Sequence, residues 1–215
     1  MIIAIDGPAA AGKGTLARRL VAHFGFAFLD TGSLYRAIGA KVLRAGGDPN
    51  DTAAALAAAA QLTPDDLAVA ELRTEPVSEA ASIVAAKPVV RAELLEFQRR
   101  FARNPPGGAT GAVLDGRDIG TVICPEPDVI KFYVHATLEA RAERRFKELQ
   151  ARGDSATYAA VLQDMTDRDA RDTSRGVSAL KKADDAYDLD TTGLNPDQVV
   201  AKALAYIQSR NRDQG

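Results

Sequence analysis

Gly7-Pro8-Ala9-Ala10-Ala11-Gly12-Lys13-Gly14-Thr15 follows the apolar run Ile2-Ile3-Ala4-Ile5-Asp6 and leads into Leu16, Leu20 and Phe24, spaced four apart. The pattern predicts strand, glycine loop and helix. It matches the phosphate-cradling loop G-x-x-x-x-G-K, with Gly14 standing where Ser or Thr is usual and Thr15 following. Glycines let backbone N–H groups close round phosphate oxygens, and the first turn of the helix adds unpaired donors and a positive dipole end. Lys13 places a point charge beside them.

Outward from the loop, strands and helices alternate. Phe26 to Asp30 reads as a second buried strand, and Asp30-Thr31-Gly32-Ser33 offers N-cap chemistry for a helix with Leu34, Ile38 and Val42 on one face. Arg36 sits in that helix's first turn, where it opposes the dipole, so helix stability does not explain it. Residues 46–50 form a turn before the alanine-rich helix of residues 53–60. Residues 63–78 are mixed in pattern. Ser78 or Ser82 opens the next helical piece, and Pro88 divides it from a helix whose core stripe is Val90, Leu94, Phe97 and Phe101.

Ala112-Val113-Leu114 then forms a short apolar strand ending in Asp115-Gly116-Arg117-Asp118, like the second acidic element of loop-type nucleotidases, whose aspartate helps hold magnesium. Asp128 to His135 reads as a central strand. Thr137 caps a helix with Leu138, Ala142, Phe146 and Leu149 inward and Arg141, Arg144 and Arg145 elsewhere. Gly153 breaks it, and a further helix starts near Ser155. Its stripe Tyr158, Val161, Leu162, Met165 continues into Arg168, Asp172 and Arg175. A core face that turns charged points to a cleft, because burying unpaired charge is costly. The strand Ala186–Asp190, the cap Asn195-Pro196 and a last helix with Val200, Ala203 and Ile207 complete the chain.

This alternation predicts an α/β fold of the P-loop NTPase type: a parallel sheet of about five strands flanked by helices, with right-handed crossovers. Ligands are expected at the carboxyl ends of the strands, where Gly7–Thr15, Asp30–Arg36 and Asp115–Asp118 fall.

Length and composition agree with one globular unit spanning residues 1–215. The chain has 27 basic and 29 acidic residues, which argues against a general nucleic-acid binder. The single Cys124 excludes an intramolecular disulfide framework and suits a reducing cytoplasm. His23 and His135 lie far apart, so no metal cluster is legible. No apolar run approaches a bilayer span, and a first strand beginning at residue 2 leaves no room for a secretory leader.

A phosphate loop alone fits a switch, a motor or a kinase. The chain has no Asn-Lys-x-Asp guanine-reading element, which counts against a GTPase switch. Arg36, Arg117, Arg141, Arg145, Arg168 and Arg175 suit a site holding two mutually repelling phosphorylated ligands. A kinase for a hydroxyl acceptor would need a base, for which Asp115 or Asp118 could serve, and a nucleotide-driven switch would show no acceptor dependence.

The chain resembles the bacterial-type cytidylate kinases, which make CDP or dCDP and ADP from CMP or dCMP and ATP. The resemblance runs over nearly the whole length. It rests on IDGPAAAGKGT at residue 5, LDTGSLYRAI at 29, ASIVAAKPVVRAELL at 81, LDGRDIGTVICP at 114 and RDARDTSRGVSAL at 168. The second and fourth are the most specific. The Gly14-Thr15 pair is typical of nucleoside monophosphate kinases.

The resemblance implies that Gly7, Pro8, Ala9, Ala10, Ala11, Gly12, Lys13, Gly14 and Thr15 hold the ATP phosphates. Ser82, Arg91 and Asp118 match residues that read cytosine, and Arg168 and Asp172 match those that contact the pentose. Arg36, Arg117 and Arg175 match the grip on the acceptor phosphate, with Thr31 and Tyr35 lining that pocket. Arg141 and Arg145 lie on the helix leading into a mobile lid over residues 150–168 and are expected to reach the transferred group. Thr15 and Asp115 are the candidates for holding Mg2+ through water.

The family implies a cytoplasmic monomer with small-molecule partners only, no nucleic acid and no membrane. Better-known members carry a long insertion of antiparallel strands inside the acceptor-binding segment, here residues 31–103. Residues 63–78 are too few to build it, so a trimmed, mostly helical segment is expected, and selectivity among CMP, dCMP and UMP stays open.

Overall fold

The computed structural model describes residues 1–67, 69–174 and 176–212. Five strands form one sheet in the order β2-β3-β1-β4-β5, where β1 is Ile2–Asp6, β2 Ala27–Asp30, β3 Ala112–Gly116, β4 Ile130–His135 and β5 Tyr187–Asp190. The pairings joining β3, β1, β4 and β5 are parallel. Asp6 is level with Gly116 on one side and Tyr133 on the other, so three chain segments leave the carboxyl edge side by side.

The chain divides into two compact units, residues 1–28 with 102–215, and residues 29–101. In the first, the inner strands are apolar on both faces, with Ile3, Ile5, Val113, Phe132 and Val134 almost wholly buried, as a sheet covered by helices on both sides requires. They pack with Leu16, Ala17 and Leu20 of α1 (Lys13–Phe24) and with Val199, Ala203 and Ile207 of α8 (Pro196–Arg212). Burying a side chain the size of Leu20 contributes roughly 1.5–3 kcal/mol.

A reciprocal cap starts α8. The Gln198 amide donates to Asn195 Oδ1 and the Asn195 amide to Gln198 Oε1, at 3.0 and 2.9 Å. The first unit also holds α6 (Leu138–Ala151), capped by Thr137, and α7 (Tyr158–Thr173), capped by Thr157. Ala142, Leu149, Val161 and Met165 form the shared core of α6 and α7, as the helical spacing predicts.

Gly7 carries the sharpest local demand. It adopts φ +150°, and a Cβ built there would lie 1.9 Å from the Val134 carbonyl oxygen of β4, which is backbone and cannot move aside cheaply. Gly7→Ala is therefore expected to destabilise the protein by more than about 4 kcal/mol. A urea midpoint within error of wild type would contradict this.

The second unit is helical beyond the end of β2: α2 (Thr31–Arg44), α3 (Thr52–Ala60), α4 (Glu75–Ala85) and the larger part of α5 (Pro88–Arg103), with two short 3-10 turns at Pro64–Leu67 and Ala70–Arg73. Two sequence expectations fail here. Neither Ser78 nor Ser82 opens a helix, because α4 already begins after Thr74, with a proline in its first turn where the missing N–H costs nothing. Phe97 is 39% exposed. The buried stripe of α5 runs instead through Val90, Leu94 and Gln98, in steps of four, and Gln98 turns its amide back to the Leu94 carbonyl at 3.0 Å.

Candidate active site

In the first unit the phosphate loop runs from β1 into α1. Gly12 is the N-cap at φ 94° with no side-chain cap, so no capping side chain competes with an anion at the start of α1. Lys13, the first helical residue, is 7% exposed; its Nζ donates to the Pro8 carbonyl at 2.9 Å and stands 3.8 Å from Asp115 Oδ1. Burial lowers its pKa to about 8, with the Arg117 charge adding to the effect and Asp115 opposing it.

Arg117 leaves the end of β3 and donates from Nε to Asp172 Oδ2 of α7 at 2.6 Å and from Nη1 to the Gly116 carbonyl at 3.3 Å. Burial alone would lower its pKa, and the adjacent Asp172 carboxylate more than offsets that. Arg141 donates from Nε to the Ala136 carbonyl at 3.1 Å and from Nη1 to the Ala9 carbonyl of the phosphate loop at 3.3 Å. It also binds both oxygens of Asp169, at 3.2 and 2.6 Å. Arg145 stays on α6 and pairs with Glu148 at 2.8 Å. Arg168 is half-buried on α7. Arg175 lies outside the described residues.

The loop is also held from the far edge of the sheet. The Thr191 hydroxyl lies 3.0 Å from both the Ala11 and His135 carbonyls, donating to one at a time, and it accepts from Arg144 Nη1 at 3.0 Å. On the other side, Asp6 at the end of β1 accepts from the Ile119 and Gly120 amides at 2.7 Å each. Burial pushes the Asp6 carboxyl up to about 7, against the pull of those two amides.

In the second unit Arg36 pairs with Asp30 at 2.5 Å, so the Asp30 carboxylate engages the arginine instead of capping α2, where Ser33 Oγ donates to the Asp30 carbonyl. Thr31 and Tyr35 are buried in the first turns of α2. The Arg91 guanidinium lies 5.2 Å from the Tyr35 ring centroid and donates to the Ala85 carbonyl at 3.3 Å. Ser82 is 3% exposed inside α4.

Thr15 is exposed on the first turn of α1, and Asp115 lies next to the last residue of β3, beside Lys13. One hydroxyl and one carboxylate suit a hard cation that takes most of its ligands from nucleotide phosphate and water. Among the described residues no group of three or more His, Cys, Asp or Glu could hold a metal ion.

A family model described as cytidylate kinase matches residues 3–209. The chain belongs to the cytidylate kinase family. The cytidylate kinase of Paramagnetospirillum magneticum is 62% identical over 97% of this chain and 98% of its own length. That of Rhodospirillum rubrum is 53% identical over 99% of both, and that of Methylocella silvestris 56% over 97% and 94%. Two solved structures share the fold. An uncharacterized protein from Eubacterium ventriosum has a TM-score of 0.56 at 14% identity, covering 97% of this chain and 99% of its own. A sugar kinase from Janibacter has a TM-score of 0.51 at 15% identity, covering 97% and 94%.

Several contacts were missed in the sequence. Arg141, off the apolar stripe of α6, is 4% exposed, and its charge is met there by two carbonyls and Asp169. Asp169 and Thr191 had no legible signal, since each acts on a residue far along the chain. Asp6 had one: a carboxylate that closes an apolar strand immediately before a glycine loop.

Proposed function

We propose that the reaction rests on the residues that follow, each in a stated role. The chain is an ATP-dependent cytidylate kinase and transfers the γ-phosphoryl group of ATP to CMP or dCMP, giving CDP or dCDP and ADP. Gly7–Thr15 wraps the ATP phosphates with backbone amides, and Lys13 meets the charge that builds on the transferred group. Arg36, Arg117 and Arg175 hold the acceptor phosphate beside Thr31 and Tyr35; Ser82, Arg91 and Asp118 read the cytosine edge; Arg168 and Asp172 contact the pentose. Arg141 and Arg145, at the base of a lid over residues 150–168, reach the phosphoryl group in flight.

Cytosine presents an amine donor beside acceptors, which a carboxylate and a donor pair can match. The acceptor is already an ionised phosphate, so no general base is required, and catalysis is positioning plus charge neutralisation. Thr15 and Asp115 would hold Mg2+, which when bound would offset the negative charge of the phosphates. The enzyme works as a cytoplasmic monomer without nucleic acid or membrane. No described helix is long and apolar enough to cross a membrane.

The observation that carries this reading is the buried Lys13 ammonium, aimed back across its own loop at Pro8 and flanked by Asp115. The test is ADP release with Mg2+ across a panel of CMP, dCMP and UMP. Faster turnover on CMP and dCMP is expected, and equal rates on CMP and UMP would remove the cytosine assignment.

A pH dependence follows from the same lysine. Its pKa of about 8 leaves it protonated below that value and neutral above it. kcat/KM for ATP, which reports the free enzyme, is expected to fall as pH rises past about 8. The limb in kcat should move alkaline, because bound phosphates favour the ammonium. Profiles flat from pH 7 to 10 would contradict the role.

A further inference from the structure

Asp118 occupies the N-cap position of a single π-helical turn, Ile119–Ile123, yet makes no side-chain cap hydrogen bond. An aspartate there ordinarily turns its carboxylate onto the first amides of the turn. Those amides go elsewhere: Ile119 N and Gly120 N donate at 2.7 Å to Asp6 Oδ1 and Oδ2, from a strand more than a hundred residues earlier. We infer that Asp6 caps this turn in place of Asp118 and is a positioning residue that fixes the backbone carrying Asp118 for acceptor recognition.

The surroundings are built for this. Asp6 is 5% exposed, so its two bonds are not shared with bulk water. Gly120 permits the close approach: a Cβ there would lie 3.1 and 3.2 Å from the Lys131 stem and 3.3 Å from Asp6 Oδ2. Lys131, 3% exposed on β4, holds the far end of the same segment by donating to the Pro125 carbonyl at 2.8 Å, and pairs with Asp185 at 2.7 Å. The segment that begins at Asp118 is thus fixed at its start by one buried carboxylate and just past its end by one buried ammonium. Arg117 and Asp118 precede the first anchor directly, so a displaced turn moves both. A buried carboxylate serving only the fold would leave acceptor selectivity unchanged, which separates the two roles.

The inference rests on the assignment of Asp118 to the cytosine edge. It is tested with the full chain by Asp6→Asn, which keeps the shape but offers one acceptor and an N–H2 to two amides. In folded Asp6→Asn, judged by circular dichroism, KM for CMP is expected to rise ten-fold or more. The CMP-to-UMP preference should fall by a similar factor, while KM for ATP stays within three-fold. Gly120→Ala, which leaves the carboxylate in place and shifts the turn against it, should move the same constants in the same direction, and it decides the matter if Asp6→Asn does not fold. Unchanged CMP constants in a folded variant, or KM values for CMP and ATP raised equally, would overturn the inference. Wild-type enzyme without preference for CMP over UMP would instead overturn the cytosine assignment beneath it.

Discussion

Lys13→Ala is expected to lower kcat by about 10²–10³-fold, the range for removing one donor aimed at developing charge, or about 2.7–4 kcal/mol of transition-state stabilisation. The fold should not suffer with it. Burial holds the Lys13 pKa near 8, below its value in an unfolded chain, so below about pH 8 the folded protein carries an ammonium that would be better solvated unfolded. Removing it relieves that cost, and the Pro8 carbonyl loses one donor, an exchange of about 1 kcal/mol in the opposite sense. Thermal melting at pH 7 should therefore change little while turnover collapses. Near-normal turnover would contradict the role given to Lys13, and a large drop in melting temperature would mean that the lysine supports the loop instead.

Asp172→Ala is the second large effect, and it falls first on stability. Asp172 is 1% exposed and Arg117 half-buried, with 2.6 Å between Oδ2 and Nε. Removing one partner of such a pair leaves a charge without its counterpart, at a cost of about 3–5 kcal/mol. The Arg117→Ala, Asp172→Ala double variant should be less destabilised than the sum of the singles, because the second change removes the stranded charge. KM for CMP should rise in both singles, since both residues are assigned to the acceptor. A urea-unfolding cycle checks the stability arm. A loss under about 1 kcal/mol for Asp172→Ala would show the pair to be solvated and of small weight.

Wherever the physics is local, the sequence was readable. The glycine loop, Thr137 and Asn195 as caps, and the inward stripe Leu138, Ala142, Phe146, Leu149 all depend on neighbours within one or two turns, and the structure places them as the spacing implies. Phe97 was misread because a helical stripe tolerates two continuations after Leu94, and only packing chooses between Phe97 and Gln98. Ser78 and Ser82 were misread as starts because a proline two residues past Thr74 is as good an opening signal as a serine.

By itself the sequence determined the alternation of strands and helices, the phosphate loop and the family, because periodicity, glycine backbone freedom and motif spacing are properties of adjacent residues. Only the tertiary structure decided what each buried carboxylate meets. Asp169 reaches Arg141 across 28 positions and Asp6 reaches Ile119 across 113. The sheet order that brings β1 between β3 and β4 creates the second pairing, and no local pattern carries it. A buried charge takes its partner from whatever the fold sets beside it, so its role is settled in space.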